Sequence, residues 1–141
     1  AEMKDSVNTK IKFREPFRPF APVVPEDEAA RFFDLQKAQG QYPQRFMLMV
    51  APVRPEQQHL IPAVSHMGTS RLQTVRREWN PLYYEVVRRF GEATGVPVLM
   101  NTSFNLSSEP IVASASNALS TFMNSGIDTL VLEDRIIHKQ R

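Results

Sequence analysis

Apolar and polar positions alternate from Ser6 to Phe13, with β-branched Val7, Thr9 and Ile11 on one side, and this predicts a strand. Pro16, Pro19, Pro22 and Pro25 then break regular structure from Glu15 to Pro25, leaving an ordered loop that Phe13, Phe17 and Phe20 are expected to pin to the core. Pro25-Glu26-Asp27-Glu28 opens a short helix to about Leu35, with its carboxylates in the first turn, where the helix dipole favours them. Lys37 to Gln44 reads as polar connection. Arg45 to Val53, Ile61 to Ser65 and Arg71 to Val75 predict three strands in an antiparallel run, separated by turns at Pro55 and Gly68.

Asn80-Pro81 carries a capping residue followed by Pro, the signature of a helix start, and Gly95 marks the end. Leu82, Val86, Phe90 and Ala93 predict its apolar face. Val96 to Met100 predicts a short strand. Ser114 to Met123 predicts a second helix, closed by Gly126, with Leu119, Phe122 and Met123 toward the core. Thr129 to Leu132 and Arg135 to His138 predict a hairpin around Glu133-Asp134. Strands followed by helix-strand-helix-strand predict an α/β fold with a twisted mixed sheet.

Composition narrows the chemistry. The 141 residues suffice for one packed core, and 42% hydrophobic with 23% charged residues excludes general disorder. No Cys is present, which removes disulfides, thiolate metal sites and cysteine nucleophiles together. The longest apolar run, Phe46 to Val53, is far short of the ~20 residues that span a bilayer, and no signal-like segment opens the sequence, so a cytoplasmic address and no membrane partner are expected. A net charge of +2 argues against a nucleic-acid partner, yet most of the cations are Arg, whose planar fork suits phosphate and carboxylate.

Three segments carry candidate chemistry. Lys12 and Arg14, two apart on the predicted strand, would share a face as a two-pronged anion site, with Phe13 buried on the reverse. Taken alone, such a pair is more often a solvated strand face. Asn101-Thr102-Ser103-Phe104-Asn105 follows an apolar strand, the place where open α/β sheets bind ligands, although the same residues also cap turns. Thr69 and Arg71, after Gly68, could cradle phosphate but lack the repeated Gly and Lys of a P-loop. His59, His66 and His138 are too scattered for metal ligation, so no metal site is assigned.

Lys12 to Pro22 (KFREPFRPFAP), Gly68 to Val75 (GTSRLQTV) and Gly95 to Val112 (GVPVLMNTSFNLSSEPIV) together resemble the carboxy-terminal domain of the O-carbamoyltransferases of antibiotic tailoring and nodulation-factor carbamoylation. The resemblance covers nearly the whole chain. It implies a YrdC/Sua5-like fold with an open concave face that binds nucleotide, and a Lys-x-Arg and Ser-x-Asn tetrad falling on Lys12, Arg14, Ser103 and Asn105. Lys12 and Arg14 would be catalytic; Ser103, Asn105, Arg71, Thr69, Asn101, Thr102 and Arg18 would contact substrate or nucleotide. The implied activity is ATP-dependent activation of carbamoyl phosphate to carbamoyladenylate, with Mg2+ held mainly by the phosphates. A separate amino-terminal, Kae1-like domain then transfers the carbamoyl group to a hydroxyl. Two positions depart from the family pattern: Met67 stands where an Asp is common, and Ser107-Ser108 where Arg-Gly is common. Rival readings are a non-catalytic nucleotide- or RNA-binding module and a docking module built on Phe13, Phe17 and Phe20.

Overall fold

The computed structural model describes residues 2–13, 15, 17–36, 41–107 and 109–140. In chain order these form α1 (Glu2–Val7), a π-turn (Asn8–Lys12), β1 (Ala21–Pro25), α2 (Ala29–Phe32), a 3-10 turn (Tyr42–Phe46), β2 (Val50–Pro52) and a second 3-10 turn (Pro55–Gln57). There follow β3 (Thr69–Arg71), β4 (Gln73–Val75), α3 (Pro81–Thr94), β5 (Leu99–Asn101), α4 (Ala115–Met123), β6 (Thr129–Leu132) and β7 (Arg135–His138). The fold is mixed α/β, as expected. It divides into two compact units, one of Pro19–Thr102 and one of Glu2–Arg18 with Ser103–Arg141.

The first unit is built on a three-stranded mixed sheet in the order β4-β1-β5, with β1 parallel to β4 and antiparallel to β5. Its centre, β1, is buried throughout and lies inside the stretch predicted as a Pro-broken loop. The register explains the difference. Pro22 pairs only with Met100 and Pro25 only with Val75, so each sits where β1 has a neighbour on one side, and its missing N–H interrupts no second ladder. Val23, paired on both sides, forms a core with Val75 and Val87. Of the three phenylalanines expected to pin the loop, only Phe20 is buried; Phe17 is 69% exposed.

Two further predicted strands shrink or vanish. Only Val50–Pro52 of the first is extended, pairing antiparallel with β3, because Pro43 starts a 3-10 turn that runs to Phe46. Ile61 to Ser65 folds as a turn, in which Val64 and Ser65 both donate their N–H to the Ile61 carbonyl (3.1 Å). The helix after Pro25 is confined to α2, since Phe33 is already extended and bridges to Val53.

The ends of α3 are as predicted: Asn80 Oδ1 accepts from the Tyr83 N–H (3.1 Å), and Gly95 closes the helix at φ 79°. Its buried face is rotated by one position. Tyr83, Tyr84 and Val87 meet the core, while Leu82 (74% exposed), Val86 and Phe90 face outward. Gly91 marks the true core line, one turn beyond Val87, where a Cβ would fall 2.5 Å from that of Pro97. On the flank, Glu85 accepts from Arg88 (2.5 and 3.0 Å), Arg89 (3.2 Å) and Arg77 (3.3 Å). Arg88 also reaches Glu92, so it is tied into a network rather than standing free in solvent.

The hydrogen bond from Arg88, then that from Arg89, holds the Glu85 carboxyl at about 2, against an ordinary 4.5. A carboxylate with a folded value below its unfolded one stabilises fully above the unfolded value, and that stabilisation is lost as pH falls toward the folded one. Thermal melts of wild type and Glu85→Gln should therefore differ at pH 7 and converge between about pH 4.5 and 2. A difference that stays constant across that window would show that the charge of Glu85 contributes nothing.

In the second unit, the predicted strand from Ser6 to Phe13 is instead α1 and the π-turn. Val7 and Ile11 are spaced four apart as well as in steps of two, so the pattern fits a helix equally well. Buried Asn8 and Lys12 also lie four apart. Phe13 ends the turn in the left-handed region (φ 47°), its N–H donating to the Asn8 carbonyl, and its ring is 61% exposed instead of buried. α4 is capped by Ser114, which accepts from Asn117 N–H (3.2 Å), and it buries Ala118, Thr121 and Phe122, leaving Leu119 and Met123 outward. Ala118, Phe122 and Leu130 form a core with Phe104, Ile127, Leu132 and Ile137. The predicted hairpin is present residue for residue as β6 and β7, turning at Glu133 (φ 52°). No helix among the described residues is long and apolar enough to cross a membrane.

Candidate functional site

Lys12 ends the π-turn of the second unit with its side chain directed inward, only 6% exposed. Its ammonium is enclosed by the Ser103-Phe104-Asn105 segment. Nζ donates to the carbonyls of Ser103 (2.5 Å) and Asn105 (3.0 Å) and to Asn105 Oδ1 (2.8 Å), with Ser103 Oγ at 3.3 Å. An ammonium has three N–H groups, so the three shorter contacts use all of them. The segment is itself tied together: Ser103 Oγ donates to Asn105 Oδ1 (2.6 Å), and Asn105 Nδ2 donates to the Glu109 carbonyl (2.8 Å). Val112 N–H closes the loop onto the Phe104 carbonyl (3.1 Å). Neutral oxygens thus replace the hydration shell of a buried cation, and the cation fixes the loop that surrounds it.

The other residues singled out from the sequence fall as follows. Arg14 lies outside the described residues, as does Ser108 of the Ser107-Ser108 pair. Arg18 is in the second unit, paired with Glu15 (3.0 Å) at a half-exposed position. Thr69, Arg71, Asn101 and Thr102 belong to the first unit. Thr69 Oγ1 is committed to the His66 carbonyl (3.0 Å), whereas Arg71 and Thr102 are exposed. Asn101 Nδ2 donates to Gln73 Oε1, and Gln73 Nε2 to the Arg45 carbonyl (3.2 Å), so this pair organises the sheet edge.

The departure at Met67 has a backbone meaning. Met67 (φ 50°) and Gly68 (φ 75°) are both left-handed, and His66 and Thr69 exchange N–H···O bonds (2.8 and 3.0 Å) around them. This is the two-residue hairpin turn in which Asp or Asn is favoured ahead of Gly. The Met67 side chain is 91% exposed, so the position serves the turn.

Sequence reasoning missed Arg45. In the 3-10 turn, residues three apart eclipse, which sets the Arg45 guanidinium over the Tyr42 ring (5.1 Å). It also lies 3.2 Å from the Trp79 ring centre. Reading Tyr42-Pro43-x-Arg45 with a period of three instead of two would have revealed the first contact.

Comparison with known proteins bears on the whole chain. Residues 1–139 match the family described as carbamoyltransferase C-terminus. Nodulation protein NolNO of Sinorhizobium fredii is 46% identical over 99% of this chain, and NolO of Bradyrhizobium diazoefficiens 43% over 99%. A Methanocaldococcus jannaschii protein without an assigned function is 32% identical over 97% of the chain. The matched region is a fifth to a quarter of each relative's length. With the family model and these identities both spanning nearly every residue, the chain belongs to the carbamoyltransferase C-terminal family.

Proposed function

We propose that this chain is the carbamoyl-activating part of an O-carbamoyltransferase. Carbamoyl phosphate is hydrolysed by water to carbamate and phosphate. A carbamate oxygen then attacks the α-phosphorus of ATP, forming carbamoyladenylate and releasing pyrophosphate. An amino-terminal, Kae1-like partner domain passes the carbamoyl group to a hydroxyl. The observation that carries this reading is the caged Lys12 ammonium, a fixed positive charge enclosed by Ser103 and Asn105. Negative charge that builds during attack at phosphorus is best stabilised by a cation already held in place, because no reorganisation is then needed.

The donor set suits phosphate oxygens. Lys12 supplies charge, and Ser103 beside it lies at an exposed position of the same unit. Mg2+ would arrive with ATP, held mainly by its phosphates, where it neutralises the triphosphate. ATP as co-substrate fits a cytoplasmic address.

The test is exchange of labelled pyrophosphate into ATP. It should require Mg2+ and carbamoyl phosphate, both in this chain and in the chain joined to the remaining four-fifths of NolNO. Absence of carbamoyl-dependent exchange in both would overturn the reading.

A further inference from the structure

We propose that Arg45, in the first unit, is a recognition residue for an oxyanion of the phosphate class on a small molecule. Every other described arginine except Arg71 has an oxygen acceptor. Arg18, Arg31, Arg76, Arg77, Arg88, Arg89 and Arg135 pair with carboxylates, and Arg54 Nε donates to the Ala30 carbonyl (2.8 Å). Arg71 is exposed, so water serves it. Arg45 is half-buried, and its Nε is cut off from solvent with no hydrogen-bond partner among the described residues. A buried donor left without an acceptor is rare and costly, and demands an explanation.

The surroundings fix the guanidinium without neutralising it. It lies over Trp79 at 3.2 Å and Tyr42 at 5.1 Å, which hold its plane, and its backbone is anchored by Gln73. Arg76 stacks on the same indole at 4.8 Å, its charge met by Glu26 through Nε and Nη2. Arg76 Nη1 has no acceptor among the described residues. With the charge of Arg76 met by Glu26, the fork of Arg45, unpaired among the described residues, and the further Arg76 donor beside the same ring offer N–H groups from two guanidinium planes. A phosphoryl group, with three oxygens spread in space where a carboxylate has two in one plane, fits that set. This inference stands on the first unit alone and does not depend on the carbamoyl-activation reading.

Trp79 is the sole tryptophan, so its emission reports on this site alone. Titrations of the full chain at constant ionic strength, balanced with chloride, would use inorganic pyrophosphate, AMP, adenosine and acetate. Saturable quenching or enhancement by pyrophosphate and AMP is expected, at least tenfold tighter than with acetate or adenosine. AMP tighter than pyrophosphate would place the phosphoryl group on a nucleotide; the reverse would favour a simple phosphate. Arg45→Lys keeps the charge but loses the fork and should weaken binding tenfold or more, as should Arg45→Met. An unchanged affinity in Arg45→Lys overturns the proposal, as does a lowered melting temperature in Arg45→Met with the titration unaltered. Equal responses to acetate, or to adenosine, also overturn it.

Discussion

Replacing Lys12 by Met is expected to abolish carbamoyl-dependent exchange and to destabilise the fold by about 2–4 kcal/mol. Met fills a similar volume, so packing is nearly kept and the loss isolates the ammonium. What remains are the carbonyls of Ser103 and Asn105, which lose the ammonium as donor, while Asn105 Oδ1 keeps the Ser103 hydroxyl. Each unsatisfied buried acceptor costs about 1–3 kcal/mol, offset where the loop relaxes toward water. Lys12→Arg separates charge from shape: it keeps the cation, but a planar fork cannot replace a compact ammonium in this cage, so stability should fall by about half as much. Urea denaturation of the three proteins checks the order. Lys12→Met as stable as wild type would mean that the cage contributes nothing, and the proposed charge stabilisation would lose its footing.

Gly91→Ala is expected to destabilise by about 2 kcal/mol, although helix propensity alone favours Ala over Gly by about 1 kcal/mol. The clash wins because of what the methyl meets: Pro97 Cβ at 2.5 Å and Pro97 Cα at 2.8 Å, part of a ring and backbone that cannot rotate away. Forcing a methyl into a filled site costs about 1–3 kcal/mol or more. Gly95→Ala gives the comparison. It has open space around it, so only the strain of its positive φ remains, about 1 kcal/mol. Melting temperatures should fall further for Gly91→Ala than for Gly95→Ala; the reverse order would mean that α3 shifts away from Pro97 at little cost.

What could be read from the sequence was what short-range chemistry decides. The caps of α3, the span of α4 and the hairpin of β6 and β7 each depend on a few adjacent residues, Asn80 and Gly95, Ser114 to Met123, and Glu133-Asp134, and all are as expected, except that Asn124 and not Gly126 closes α4. Long-range pairing hid the rest. Pro22 and Pro25 argue for a loop until one knows that each has a ladder partner on one side only. Val7 and Ile11 satisfy two periods at once, so their environment chose between them. On α3, the stripe Leu82, Val86, Phe90 looks like the core face, and only Gly91, against Pro97, shows that the helix is turned toward Tyr83 and Val87. The Lys12 cage is a mixed case: its residues carried the family resemblance, while the helical turn that delivers the ammonium was read as a strand.

The make-up of the second unit sets an order of events during synthesis. Its residues come from both sides of the first unit's continuous stretch, Glu2–Arg18 before it and Ser103–Arg141 after it, and Lys12 is 91 residues from Ser103. A ribosome delivers Lys12 early and its partners late. The first unit, uninterrupted from Pro19 to Thr102, can fold as soon as it has emerged, whereas the π-turn must wait, its Lys12 hydrated, for a segment not yet translated. Once that stretch has folded, it shortens the effective loop between the two halves of the cage and lowers the entropy cost of closing it. Slow or stalled translation between Thr102 and the hairpin would therefore leave the nascent chain with a formed sheet and an open lysine.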